Sequence, residues 1–264
     1  MRAPRWALAA MATLPIPLGG GLVLSSPALA APALPEIPAP WHSIPDIGPL
    51  LKQDRVLGPA QAEISIVVWS DPECPYCKQF SGVPDAAVAR ANSGGTARAN
   101  FALRLLPLPF HGAAAVVGAL GALCVAEQAG PNGYYKFLGD YFARTGANGR
   151  GLPSSGGSAK NDSAKNDSGR AAVSDLAVKD GASDKGKLEA CLRSDDTLGR
   201  IAAEGDSAEA ADVEGTPAVA LRNNLTGETI LVNGAIDPDT LDQGIALMAR
   251  RGLRHAAPPP DYAR

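Results

Sequence analysis

Residues 64–80, with the sequence ISIVVWSDPECPYCKQF, decide the fold of this chain. The first six are mostly β-branched and apolar, which predicts a buried strand that stops at Ser-Asp-Pro (70–72). Pro75 suits the first position of a helix, because its missing N–H needs no partner there. Cys74 and Cys77 therefore lie at a strand-to-helix junction, where both sulfurs share the first helical turn.

This placement predicts thiol–disulfide exchange. The thiolate is the attacking species in that chemistry, and the free N–H groups and dipole of a helix start favour an ionised, exposed Cys74. Cys77 is expected behind it as the resolving thiol of a mixed disulfide. Half of a zinc site and an inert structural disulfide are the alternatives, although further zinc ligands lack suitable spacing and so small a loop gains little from a bridge. No metal or organic cofactor is expected.

Thr216-Pro217 is the second motif. The proline removes a hydrogen-bond donor directly before a predicted strand at 218–222, which a cis peptide bond at a turn explains. An ordinary trans proline in a loop is the alternative. The turn is expected to face Cys74 and to leave a backbone edge on which an extended peptide can pair. The predicted substrate-binding residues are therefore Thr216, Pro217, Pro75 and Tyr76.

The order of the remaining elements predicts the architecture. A second strand is expected at about 98–106, followed by a helical block from 112 to 212. Two paired strands and a last helix then follow, at about 218–222, 229–232 and 238–251. Without the helical block, this order predicts an α/β thioredoxin fold, in which a mixed central sheet carries helices on both faces.

Three segments lack the pattern of a folded element. A Pro-rich stretch (31–55) precedes the predicted domain (56–251), and a tail (252–264) with three consecutive prolines follows it. Both are expected to be loosely ordered. Inside the helical block, residues 146–170 are rich in Gly, Ser, Asn and Lys and repeat the sequence SAKND at 158–167. This composition predicts a low-complexity loop, because it cannot bury apolar surface.

The N-terminus has the pattern of a signal peptide at 1–30. Arg2 and Arg5 precede an apolar stretch, and Ala28-Leu29-Ala30 supplies the small residues of a cleavage site. An uncleaved membrane anchor is the alternative. Because no other apolar run is expected to span a bilayer, the mature protein is predicted in the periplasm. With a formal net charge of −3 and no basic stripe, the chain lacks the signature of a nucleic-acid binder.

Together these motifs resemble the Dsb proteins of bacterial envelopes. Residues 70–80 are most similar to the DsbG and DsbC active-site run, and Gly215-Thr216-Pro217-Ala218 resembles their cis-proline loop. Residues 104–108 with His111 resemble the strand-to-helix passage of DsbA-like domains. The resemblance covers about 56–250, apart from the low-complexity loop. It implies a periplasmic thiol–disulfide oxidoreductase that acts through the cysteine pair on unfolded or misoxidised envelope proteins and is reset by a membrane redox partner.

The resemblance also implies a structural disulfide between Cys124 and Cys191, for which two buried free thiols are the alternative. DsbC- and DsbG-like proteins carry an N-terminal dimerisation domain, whereas residues 31–55 are too few to build a core. A monomer of DsbA-like build is therefore expected. The direction of electron flow stays open between an oxidase and a reductase or isomerase. A non-enzymatic peptide-binding chaperone that uses the cis-proline groove is the rival from another class.

The active-site run bears on the redox balance. Stabilising the Cys74 thiolate stabilises the reduced form and makes a stronger oxidant. Tyr76 adds no positive charge, and Asp71 and Glu73, if ionised and near, would disfavour the thiolate. We therefore predict a weaker oxidant than DsbA relatives with histidine between the cysteines. Asp71 suggests a role in proton transfer to Cys77, although a loop or cap role fits it equally well. His111 suggests a polar group near the active face, for which a solvated helix-start histidine is the alternative.

Overall fold

The structure is a computed structural model that describes residues 33–51, 53–153 and 162–256. The predicted signal peptide at 1–30 lies outside these ranges, as do residues 257–264 of the predicted tail. The described strands are β1 (His42–Ile44), β2 (Val56–Leu57), β3 (Ile64–Ser70), β4 (Ala99–Leu105), β5 (Ala218–Asn223) and β6 (Thr229–Asn233). The described helices are α1 (Pro75–Phe80), α2 (Val83–Ala91), α3 (Gly112–Arg144), α4 (Asp162–Lys179), α5 (Lys185–Cys191), α6 (Asp195–Ala210) and α7 (Pro238–Ala256), with a 3₁₀ turn at Pro109–His111.

The described strands form one mixed sheet in the order β1-β6-β5-β3-β4-β2. β3 runs parallel to β4 and antiparallel to β5, and the remaining pairs are antiparallel. Every residue of β3 and β4 is buried, as expected of strands that are covered on both faces. The helical block α3–α6 enters between β4 and β5. The predicted thioredoxin fold with an inserted helical block is therefore confirmed.

Side chains of β3 face two cores, because successive residues of a strand point to opposite faces. One core is large and includes residues of α2, α3 and α7; β3 contributes Ile64, Ile66 and Val68 to it. The other core is smaller, and Trp69 fills it beside the end of α6. There the Trp69 Nε1–H donates a hydrogen bond to Ser207 Oγ at 3.0 Å. The strand is thus fixed on both faces directly before the cysteine loop.

The long helix α3 consists of two helical stretches joined at Gly130, where φ is 66° and ψ is −164°. Pro131 follows and starts the second stretch, where its missing N–H needs no partner. By length and composition, Pro109–Arg144 is apolar enough to cross a membrane, which the sequence expectation did not include. However, 61% of its most apolar stretch of 18 residues is buried inside the fold, as in the core helix of a globular protein.

A disulfide joins Cys124 of α3 to Cys191 of α5, as the resemblance implies. The sulfurs are 2.02 Å apart and the Cα atoms 5.7 Å apart. Cys124 is fully buried. The bridge therefore links helices on either side of the low-complexity tract.

Several helix boundaries differ from the prediction. α4 begins at Asp162, inside the predicted loop at 146–170. α7 continues to Ala256, past the predicted start of the tail. The residues after the cysteines form two helices, α1 and α2, which are separated at Ser81-Gly82, because Pro84 in the first turn of α2 has no N–H to continue the ladder of α1.

The Pro-rich segment is more ordered than predicted. Trp41 is only 5% exposed, and β1 adds an edge strand to β6, with His42 opposite Leu231. At the other edge of the sheet, β2 pairs with β4. Strands of three and two residues are too short to show a readable alternation, which is why the sequence did not reveal them.

Candidate active site

Cys74 and Cys77 are free thiols at the start of α1. Cys74 is the N-cap residue, and Pro75 occupies the first helical position, as predicted. Cys74 is 4% exposed and Cys77 is 2% exposed. The expectation of an exposed Cys74 is therefore wrong, because the backbone at Thr216 lies over it, with 3.3 Å between the Cys74 sulfur and the Thr216 carbonyl oxygen.

The two thiols have opposite acid–base behaviour. Hydrogen bonds from the Cys77 thiol and from the N–H groups of Cys77 and Tyr76 outweigh burial and lower the pKa of Cys74 to about 5. Burial, together with the adjacent Cys74 sulfur, raises the pKa of Cys77 far above its usual range. The N–H of Asp71 also donates to the Cys77 sulfur, at 3.4 Å.

The Thr216–Pro217 peptide bond is cis. Pro217 directly precedes β5, and Ala218 lies opposite Trp69 of β3 in the antiparallel register. This register brings the 216–217 turn to the end of β3, beside the cysteine loop. Pro75 and Tyr76 are the other two predicted substrate-binding residues. Tyr76 lies beside the cysteines and is 62% exposed.

Asp71 organises the approach to the cysteines. Its Oδ1 accepts a hydrogen bond from the N–H of Glu73 at 2.7 Å, and its Oδ2 accepts one from the N–H of Leu108 at 2.7 Å. The same Oδ2 lies 2.7 Å from His111 Nδ1. His111 is 5% exposed, so the alternative of a solvated helix-start histidine is wrong. The pair ties the loop after β3 to the passage between β4 and α3.

Glu73 is fully buried, which the sequence did not indicate. Its Oε1 accepts hydrogen bonds from the Tyr141 hydroxyl at 2.8 Å and the Thr145 hydroxyl at 2.5 Å. Its Oε2 accepts one from the N–H of Gly151 at 3.0 Å, and its carbonyl accepts one from the N–H of Asn148 at 2.7 Å. Nothing in the spacing of these partners could have identified them, since Tyr141 belongs to α3 and Asn148 and Gly151 belong to the tract whose composition predicts a loop.

Phe110 is a further residue that the sequence did not single out. It is 78% exposed and packs edge-on against the His111 ring, with 4.5 Å between ring centroids. Phe110 and Tyr76 are thus two exposed aromatic side chains on segments that meet at the cysteine loop.

Comparisons with known proteins agree with this geometry. The sequence profile of the family described as Thioredoxin matches residues 51–243, and no curated protein sequence matches the chain. Among solved structures, the chain is similar to DsbA2 of Pseudomonas aeruginosa, at 24% identity over 80% of this chain and 97% of that one, with a TM-score of 0.57. It is also similar to oxidised BdbD of Bacillus subtilis, at 17% identity over 79% and 100% of the two chains, with a TM-score of 0.59.

A third similar structure is alpha-DsbA1 of Wolbachia pipientis, at 13% identity over 79% of this chain and 96% of that one, with a TM-score of 0.55. At these identities the structural likeness bears on the fold. The family profile spans most of the chain and includes both the cysteine pair and the cis-proline turn. The chain belongs to the thioredoxin family and has the fold of its DsbA-type thiol–disulfide oxidoreductases.

Proposed function

We propose that this thioredoxin-family oxidoreductase exchanges disulfides with exported proteins through Cys74 and Cys77. The observation that carries the proposal is the asymmetry of the two thiols. With its pKa lowered to about 5, Cys74 is a thiolate at neutral pH, whereas the raised pKa of Cys77 keeps that thiol protonated. Two-step exchange needs this combination of a ready nucleophile and a resolving thiol held in reserve.

In the reducing direction, the Cys74 thiolate attacks one sulfur of a substrate disulfide, and the other substrate sulfur leaves and takes up a proton. Cys77 then loses its proton and attacks the Cys74 sulfur, which breaks the mixed disulfide and releases the second substrate thiol. The substrate gains two electrons and two protons, and the cysteine pair becomes a disulfide. The same steps in reverse oxidise a substrate dithiol. Once Cys74 is bonded, its charge no longer opposes ionisation of Cys77.

The turn at Thr216-Pro217 is the proposed substrate platform. An extended peptide that pairs with this backbone would bring its sulfur to Cys74, because the Thr216 carbonyl is only 3.3 Å from the Cys74 sulfur. The exposed rings of Tyr76 and Phe110 offer apolar contacts beside it. Unfolded or misoxidised envelope proteins are the proposed substrates, since they present extended apolar segments. The signal-peptide pattern supports a periplasmic location, where a membrane partner would reset the pair.

A Cys77→Ser variant tests the exchange chemistry. Because Cys74 can capture a substrate that nothing resolves, we expect mixed disulfides with a disulfide-containing unfolded protein, visible on non-reducing gels and lost on addition of dithiothreitol. The Cys74→Ser/Cys77→Ser variant is the control and should form none. A peptide-binding chaperone would give no covalent adduct with either variant, and that result would overturn the proposal.

The lowered pKa of Cys74 favours the oxidising direction, because it stabilises the dithiol relative to the disulfide. We therefore propose that the protein refolds reduced ribonuclease more effectively than it rearranges scrambled ribonuclease. The opposite ranking would assign it to the isomerases or reductases instead.

A further inference from the structure

Two acidic residues, Asp71 and Glu73, directly precede the cysteine pair in the chain, and the surroundings of their carboxylates differ. Asp71 has a histidine within ion-pair distance, with 2.7 Å between its Oδ2 and His111 Nδ1. Among the residues that the structure describes, the carboxylate of Glu73 is met by neutral donors, namely the Tyr141 hydroxyl, the Thr145 hydroxyl and the N–H of Gly151. Within the described ranges, no cationic side chain forms an ion pair with Glu73. A negative charge on Glu73 therefore has no cationic partner among the described residues.

The hydrogen bonds around Glu73 stabilise a negative charge. Three donors meet its two carboxylate oxygens, namely two hydroxyls and one backbone N–H. Tyr141 responds to it: burial raises the pKa of the Tyr141 hydroxyl, and the charge of Glu73 raises it further. Glu73 is fully buried, Cys74 is 4% exposed and the two residues are adjacent in the chain, so water screens a charge on Glu73 only weakly at this site.

We propose that Glu73 is a positioning residue that sets the redox balance of Cys74, because its buried and uncompensated negative charge opposes the Cys74 thiolate and so disfavours the reduced protein. The inference rests on the proposed function, since it concerns the same pair. Other titratable groups near Cys74 in the chain or in the site include Cys77, Tyr76, the Asp71–His111 pair and Lys78. The Lys78 ammonium donates to the Thr145 carbonyl at 3.2 Å. None of these groups cancels the charge of Glu73 by direct contact.

A neutral side chain can replace Glu73 without leaving a cluster of unpaired donors. The Tyr141 hydroxyl also lies 3.3 Å from the Ala114 carbonyl, and the Thr145 hydroxyl lies 3.3 Å from the Gly151 carbonyl. Both hydroxyls can therefore turn to a second acceptor, and only the N–H of Gly151 loses its partner. This makes the charge of Glu73 separable from its contribution to packing.

The experiment compares Glu73→Gln and Glu73→Met with wild type. Gln keeps one acceptor, and Met keeps the length of the side chain with no polar group, so either variant tests the proposal if the other fails to fold. Glu63→Gln is the matched control. Glu63 pairs with Arg98 at 2.8 Å and precedes β3, whereas Cys74 follows that strand, about 20 Å further along at the usual rise per residue. The measurements are the Cys74 pKa from the pH dependence of alkylation and the equilibrium with glutathione.

We expect both Glu73 variants to lower the Cys74 pKa by about one unit and to shift the glutathione equilibrium about tenfold toward the reduced protein, which corresponds to about 30 mV. Glu63→Gln should change neither value. A folded Glu73 variant whose Cys74 pKa is unchanged or higher would overturn the inference. If wild type itself shows no exchange with glutathione, it is the proposed function that fails, and the two failures are therefore distinguishable.

Discussion

In the reduced protein, ionisation of Cys74 contributes to the stability of the fold. Its pKa is about 5 in the folded protein, compared with 9.0 for an ordinary thiol. Because the folded state lowers this pKa, the thiolate adds stability that is fully present above the unfolded pKa. That stability is lost as the pH falls through the folded pKa.

We predict that the difference in free energy of unfolding between the reduced wild type and Cys74→Ser shrinks steadily from about pH 9 to about pH 5. Below that range the titratable part of the difference should be absent. Urea titrations in the presence of a thiol reductant at several pH values would measure it. Cys77 is present in both proteins and stays protonated over this range, which makes Cys74→Ser a fair reference. A pH-independent difference would contradict the lowered pKa.

The residues of the site differ in whether their role can be predicted from their neighbours in the sequence. The cysteine pair and its helix start are contiguous in sequence, so their chemistry could be predicted from residues 64–80 alone. The partners of Glu73 could not: Tyr141 and Thr145 lie 68 and 72 residues further along the chain, and tyrosine and threonine are common in any position. The burial of His111 likewise depends on a contact 40 residues away.

At the scale of the elements, helix α7 packs closely against the sheet at Gly244. A Cβ atom on Gly244 would lie 2.7 Å from the Leu221 side chain and 2.7 Å from the Trp41 ring. Both neighbours are buried, and neither can move without disturbing β5 or the segment that leads into β1. The absence of a side chain at this position is therefore what allows the helix to pack closely.

Gly244→Ala is expected to destabilise the protein by about 1–3 kcal/mol, because the new methyl group overpacks the core. Gly199→Ala is the matched control, since Gly199 lies within α6 with no atom near its Cβ position. The free energy of unfolding of that variant should rise by about 0.5–1 kcal/mol, because alanine has a higher helix propensity than glycine. Chemical denaturation of the two variants would check the prediction, and equal shifts in the same direction would count against the packing described for α7.

The disulfide between α3 and α5 closes a loop of 67 residues. In the chain-entropy model, Cys124→Ala/Cys191→Ala should therefore lower the free energy of unfolding by about 4 kcal/mol. The alkylation rate of Cys74 should change little, because no hydrogen bond among the described residues joins the bridge to the active site. Urea denaturation and alkylation kinetics of the double variant would test both statements. A loss below about 1 kcal/mol would mean that the unfolded chain is already constrained.

Element types could be predicted where a segment was long enough to show a recognisable pattern. The strand before the cysteines follows from its run of apolar, β-branched residues, and the helical block follows from helical spacing. The edge strands β1 and β2 were missed because pairing with a neighbour, and not their own composition, makes them strands. The early start of α4 was missed because residues 162–170 are mostly polar, a composition that is typical of a loop.

At the scale of the whole molecule, export is still a prediction, because residues 1–30 lie outside the described ranges. We expect the mature protein to begin at Ala31, since cleavage after Ala30 removes the two arginines and the apolar stretch. Intact-mass measurement of the protein from the periplasmic fraction of an expressing bacterium would show this. A full-length mass in the membrane fraction would favour the uncleaved anchor.

Cys74 and the Thr216 carbonyl that covers it are 142 positions apart in the chain, and this separation has a consequence for biogenesis. During synthesis the two cysteines emerge well before the turn that completes their surroundings, because the whole helical insertion comes between them. A partly synthesised chain therefore carries the cysteine pair without the Thr216 contact of the finished fold.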